Sequence, residues 1–204
     1  MLHKEILNAN QLALLPILKD FKRNYYLVGG TAIALQIGHR RSIDFDLFTD
    51  KPIKHKWILE KLESHKLTTL ITRRVDDQLN LIVNQVKFTF YQYPFTIDPN
   101  HKLESYIKMP DLLQLAAMKA YALGRRSKWK DYVDLYFLLK SHFSIDDICD
   151  EANRLFQDLF SEKQFRAQLI YFDDIDYTEA VDYLNEKPTD EMIKETLKEI
   201  SLAI

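Results

Sequence analysis

Gly29 and Gly30 are two of only four glycines in 204 residues, and they sit together between the apolar run YYLV and the helix-like TAIALQI. Adjacent glycines at a strand-to-helix corner permit positive φ and let another group come close to the backbone. Thr31 adds a hydroxyl and the helix start adds unpaired N–H donors, a combination that suits a phosphate. The same residues also make an ordinary tight turn with a threonine cap. The second stretch is Asp44-Phe45-Asp46-Leu47-Phe48. In a strand, the period of two sets Asp44 and Asp46 on one face and turns Phe45 and Leu47 toward a core. Neighbouring carboxylates repel, and they find relief by sharing a proton, by pairing with Arg40 or Arg41, or by chelating a divalent cation. Mg²⁺, or Mn²⁺ in its place, takes such carboxylates together with substrate phosphates. The plain alternative is a solvated edge strand whose aspartates face water.

A third grouping lies in KWKDYVDLYFLLK, from Lys128 to Lys140, where apolar residues cover nearly every side of the predicted helix. Such a helix is buried, so Asp131 and Asp134 need cationic partners or hydrogen bonds. Lys119, Arg125, Arg126 and Lys128 are the candidates. Lys119 is the lone cation in DLLQLAAMKAYAL, where it either pairs or snorkels to the surface. On residue types alone, the group is as readily a buried ion pair clamping two domains as a catalytic set.

Positioning these residues takes two kinds of scaffold. From Tyr25 to about Tyr93, short β-like runs alternate with helical stretches, an α/β pattern. After Pro94 the strands stop. From Pro110 the pattern is helical almost to the end, including a helix over TEAVDYL, with Pro110 in a first helical turn and Pro188 just before the last helix. The boundary is placed between His101 and Met109, giving domains of residues 1–105 and 106–204.

Composition narrows the classes. With 47% hydrophobic and 28% charged residues the chain is not disordered, and a net charge of −2 supplies no global field for nucleic acid. RNA contact therefore requires a local patch, such as GRRSKWK at 124–130 with Trp129 available for stacking, or Arg73-Arg74. A solvated turn explains the same charges. One cysteine, Cys149, rules out an intramolecular disulfide, and its acidic surroundings rule it out as a nucleophile. His39, His55, His65 and His101 lack metal-ligand spacing and read as surface or loop residues. No run of 18 apolar residues or signal-peptide pattern occurs, so the expectation is a cytoplasmic protein without a membrane partner.

The run GGTAIALQIGHRRSIDFDLFT combines the glycine turn with the aspartates after one helix, and it resembles the signature of nucleotidyltransferases built on the DNA polymerase β fold. With the later KAYALGRRSKWKDYVDL, it resembles the AbiEii/AbiGii toxin-type branch, over a stretch from Tyr25 to Leu139. The resemblance implies an α+β chain. A polymerase-β-like core, a mixed sheet flanked by helices, would be followed by an α-helical C-terminal domain that contributes to the active-site cleft. It implies transfer of a nucleoside monophosphate from an NTP to an acceptor, RNA or tRNA, by the toxin of a bacterial toxin–antitoxin or phage-defence system with a cognate antitoxin. Under it, Gly29, Gly30 and Thr31 meet the triphosphate, and Asp44 and Asp46 hold Mg²⁺. Lys119 contacts triphosphate or transition-state charge, while Asp131 orients or deprotonates the acceptor. Asp134 holds a cation such as Arg126, and Arg126 and Lys128 complete the nucleotide site. One departure stands out: the stretch where many such enzymes carry a third carboxylate, Val86-Lys87-Phe88-Thr89-Phe90, has no acid. That weakens two-metal chemistry. The alternatives are a small-molecule nucleotidyltransferase of the antibiotic-adenylylating kind and a catalytically silent nucleotide-binding module.

Overall fold

The computed structural model describes residues 2–203, and the chain divides into two compact units, Met1–Asp111 and Leu112–Ile204. In the first, β1 (Tyr26–Val28), β2 (Phe45–Thr49), β3 (Thr69–Val75), β4 (Gln78–Val83) and β5 (Val86–Gln92) form a sheet in the order β1-β2-β5-β4-β3. The sheet is mixed, because β2 and β5 run parallel while the other neighbours are antiparallel. Alternation along β4 and β5 builds its core: buried Leu79, Leu81 and Val83 lie opposite buried Phe90, Phe88 and Val86. The two-residue turn between them, Asn84-Gln85, has φ of 47° and 63°, the paired left-handed conformation of a type I′ hairpin. Edge strand β3 is exposed along most of its length, and Arg73, Arg74 and a register shift after Ile71 blunt it against pairing with another chain.

Helices α1 (Ala9–Phe21), α2 (Gly29–Ile37) and α3 (His55–Ser64) complete this unit. Asn8 and Gln11 form a capping box at the start of α1, and at its end Phe21 meets Phe90 and Trp57 at ring separations of 5.0 and 5.6 Å. Strands do not stop at Pro94. A hairpin of β6 (His101–Leu103) and β7 (Ile107–Met109) follows, with β7 against β1, and the first unit ends at Asp111 rather than at residue 105. Three-residue strands are too short to display an alternating pattern, which is why periodicity passes over them.

The second unit is helical: α4 (Leu112–Leu123), α5 (Trp129–Ser141), α6 (Ile145–Phe156), α7 (Glu162–Leu169) and α8 (Asp190–Leu202). Ser144, Ser161 and Thr189 cap the last three through their side-chain oxygens. Helix α5 is buried over nearly its whole length. Pro110 stands ahead of α4 rather than in its first turn. Among the described residues no helix is long and apolar enough to cross a membrane.

TEAVDYL, residues 178–184, is not a helix. So short a segment gains little from helical hydrogen bonds, and its neighbourhood is pinned elsewhere. Asp176 exchanges backbone hydrogen bonds with the Ser127–Trp129 turn, and Glu179 accepts from Lys128 and Lys130. The hydrogen bond from Lys128 is the main reason the Glu179 carboxyl lies at about 2 instead of 4.5. A depressed carboxylate stabilises the fold above its unfolded value, and that contribution disappears as pH falls through the folded one. Acidification from pH 4.5 through about 2 therefore loosens this strap. Because the pair is partly exposed, the effect is under about 1 kcal/mol. Trp129 fluorescence in a Trp57→Phe background reports it, since Tyr177 covers Trp129. Glu179→Gln produces the same change at neutral pH.

Candidate active site

The antiparallel register sets Val28 beside Asp46, so the chain leaves β1 next to that aspartate of β2. It turns into α2 at Gly29, whose φ is +73°. A Cβ on Gly29 would run into the Asp46 carboxylate, and one on Gly30 would run into the Arg40 guanidinium. The first glycine is thus required by conformation and contact, while a side chain at the second would have to displace Arg40. Along β2, Phe45, Leu47 and Thr49 are buried while Asp46 is half-buried; Asp44, one residue ahead of the strand, is half-buried too. Asp44 leads into the strand two residues before Asp46, its main-chain oxygen held by Thr31. Asp46 lies where the first N–H groups of α2 create positive potential.

Thr31 does not offer its hydroxyl to a phosphate. The side chain is buried, its Oγ1 donates to the main-chain oxygen of Asp44, and it lies 2.9 Å from Ser42 Oγ. It ties the first turn of α2 to the residue bearing one of the carboxylates. Thr31→Val leaves that carbonyl without its donor and costs about 1–3 kcal/mol, whereas Thr31→Ser keeps most of the stability. Urea denaturation of the two variants measures the difference. On the other side of β2, the parallel register puts Thr89 of β5 beside Asp46, so the adjoining strand contributes no acid at that position. Among the described residues no cluster of three or more His, Cys, Asp or Glu side chains is arranged to hold a metal.

The ionic group of the second unit lies between α4 and α5. Lys119 Nζ donates to Asp131 Oδ1 at 2.7 Å and lies 2.9 Å from Asp134 Oδ2. Arg126 forks onto Asp131, with Nε 2.8 Å from Oδ2 and Nη2 3.2 Å from Oδ1. Lys119, Asp131 and Asp134 are 5%, 2% and 0% exposed. All four belong to the helical unit, so they are not an ion pair across two domains. Arg126 binds Asp131, whereas the resemblance implies that Asp134 holds a cation such as Arg126, and Lys119 is the cation beside Asp134. Burial alone would raise the Asp131 carboxyl, but the charges and hydrogen bonds of Lys119 and Arg126 outweigh it and hold the group below the usual carboxylate value. A carboxylate held this way is a weak base, better suited to fixing cations than to removing a proton.

A family model described as the nucleotidyl transferase AbiEii toxin of type IV toxin–antitoxin systems matches residues 14–201. The chain belongs to the AbiEii nucleotidyltransferase toxin family. The match takes in the second half of α1 and the last helices as well as the stretch from Tyr25 to Leu139. An uncharacterized protein of Aquifex aeolicus is 33% identical over 123 residues, which cover 58% of this chain and 59% of that relative. The structure is similar to that of MenT4, a nucleotidyltransferase toxin of Mycobacterium tuberculosis, with a TM-score of 0.62 and 14% identity over 94% of this chain and 80% of the other. It is also similar to JHP933 from Helicobacter pylori, with a TM-score of 0.56 and 16% identity over 98% and 92% of the two chains. At these identities the likeness is one of fold: α+β, a mixed sheet with C-terminal helices.

In this AbiEii chain several supports of the aspartate loop escape sequence reasoning. Gln11 Nε2 donates to the Ser42 carbonyl at 2.9 Å, and buried Arg40 donates to the Arg41 carbonyl at 2.9 Å. Arg41 in turn reaches the Glu5 carbonyl at 2.8 Å. Only the RR pair before the aspartates hinted at them. His39 is buried, not a surface residue. Lys128 is engaged by Glu179, and Trp129 is 5% exposed between Tyr132 and Tyr177, so its ring is not open to a stacked base. Cys149 is buried and its thiol is pushed up to about 12, chiefly by that burial.

Proposed function

We propose that this chain transfers a nucleoside monophosphate from an NTP to a hydroxyl of an RNA acceptor, tRNA foremost, in the cytoplasm, as a toxin countered by a cognate antitoxin. The observation that carries the reading is the contact of Asp46 with Gly29 at the start of α2, with Asp44 two residues before it in the chain. Free N–H groups there attract a phosphate while the two carboxylates repel it. A divalent cation resolves the conflict, and the donor set fits one: two oxygen ligands, with remaining positions left to phosphate and water. Asp44 and Asp46 would hold Mg²⁺, which, when bound, supplies positive charge to the α-phosphate and the departing pyrophosphate. The first N–H groups of α2 orient the polyphosphate, and Thr31 fixes the backbone of Asp44. In the step itself, the acceptor oxygen bonds to the α-phosphorus, the α–β bridging bond breaks, pyrophosphate leaves, and the hydroxyl proton passes to solvent.

Incubation with each labelled NTP, Mg²⁺ and total RNA puts label on RNA from at least one NTP, and chelation of the metal removes it. Absence of label with every NTP, or label undiminished by chelation, overturns the reading. Label on a small hydroxylated compound with none on RNA replaces the acceptor with the antibiotic-modifying alternative.

A further inference from the structure

At the far end of β1 and β2 from the glycine turn, a cavity of about 440 Å³ opens among Lys22, Arg23, Tyr26, Asp50, Lys51 and Lys108. It lies wholly within the first unit. The β1–β2 register fixes its position: Tyr26 begins β1 and Asp50 follows the end of β2, whereas Val28 and Asp46 pair at the other end. Roughly 10 Å of strand separates the two places.

Its charge is unusual for this chain. Four cations surround one carboxylate in a molecule whose net charge is −2. Some surface cations, such as Lys4, Lys130, Lys140 and Arg166, are matched by acids within ion-pair distance. Lys22, Arg23, Lys51 and Lys108 make no such pair among the described residues, although Asp50 shares the cavity with them. Positive groups held around a concavity in excess of its one carboxylate form a focused site for an anion.

The cavity wall supplies a second, independent sign. Tyr26 is 7% exposed, and its hydroxyl is buried with no hydrogen-bond partner. A buried hydroxyl without a partner costs free energy that a native fold ordinarily avoids, and a ligand oxygen would recover it. Burial, with Asp50 near by, pushes the phenol above its ordinary value, so it remains an O–H donor at neutral pH. Tyr25 beside it is aromatic and buried. Exposed cations around the opening match the charge of a phosphodiester strand passing across the surface.

We propose that this cavity holds a backbone phosphate of the RNA acceptor, with Tyr26 donating its hydroxyl to a phosphate oxygen and Lys22, Arg23, Lys51 and Lys108 supplying the charge. The inference rests on the reading that RNA is the acceptor, and it places an anchoring contact away from the aspartates. The full chain, without NTP, is titrated with a labelled single-stranded RNA oligonucleotide at several salt concentrations, and separately with inorganic phosphate alone. The double variant Lys51→Gln, Lys108→Gln binds RNA more weakly, and its slope of log affinity against log salt flattens by about 1.4, or about 0.7 for each phosphate that is no longer neutralised. Tyr26→Phe weakens RNA binding about tenfold with the slope unchanged. If the hydroxyl were merely trapped by packing, Tyr26→Phe would leave RNA affinity alone, and that result overturns its assignment. Phosphate binding abolished in the double variant with RNA affinity intact marks a free-anion site and overturns the RNA assignment, as does a slope that does not change. The difference in slope persists in an Asp46→Ala background, so failure of nucleotidyl transfer and failure of this inference are read separately.

Discussion

Asp46→Asn lowers nucleotidyl transfer by about three orders of magnitude, which corresponds to about 4 kcal/mol of transition-state stabilisation. The amide keeps the shape of the side chain that lies against Gly29, so the strand and turn remain in place, but it carries no charge for a cation. With Thr89 beside Asp46 on the neighbouring strand, and no cluster of three or more potential metal ligands among the described residues, no carboxylate on that strand takes over. Thermal unfolding supplies a readout that needs no turnover. In the wild-type chain, Mg²⁺ with a non-hydrolysable NTP at about 100 times its Kd adds about 2.7 kcal/mol. Asp46→Asn loses most of that gain. Transfer that survives the substitution, or an undiminished metal-linked rise in Tm, would remove the aspartate pair from the chemistry.

What could be read from the residues alone was local. Alternation in DFDLF puts Asp46 on the half-buried side of β2 and Phe45 and Leu47 inside, and the glycine pair marks a turn that admits no side chain. The buried character of α5 followed equally from its composition. Partner choice did not, because it is decided by tertiary packing. Nothing near Thr31 tells that its hydroxyl is taken by the main chain of Asp44, thirteen residues on, and nothing near Gln11 points to Ser42. Trp129 looks like a stacking platform in a basic turn until Tyr177, far along the chain, covers it. The TEAVDYL strap failed as a helix for the same reason: contacts with the turn before α5 outcompete a short helical segment. The hairpin from His101 to Met109 escaped for a different one, the shortness of its strands.

The ionic group of α4 and α5 gives the largest expected effect on stability. Lys119→Met strips the cation from two buried carboxylates, Asp131 and Asp134, leaving Arg126 to bind Asp131 from a half-exposed position. Breaking a buried pair on one side costs about 3–5 kcal/mol, because the remaining charge has neither water nor a full set of partners. Replacing the group as a whole behaves differently. Lys119→Met combined with Asp131→Asn and Asp134→Leu removes the stranded charges together with the cation, and most of the stability returns. The pH dependence separates this account from simple loss of packing. The wild-type Asp131 carboxyl lies below its unfolded value of 3.8, so its contribution is present above that pH and is lost as pH falls through the lower folded value. In Lys119→Met the poorly partnered acids take up protons sooner, which relieves the penalty. The urea midpoints of variant and wild type therefore converge on acidification. A gap that stays constant from neutral pH into the acid range would show that the lysine acts through its hydrocarbon stem, and a triple variant no more stable than Lys119→Met would show that the stranded charge is not the cause.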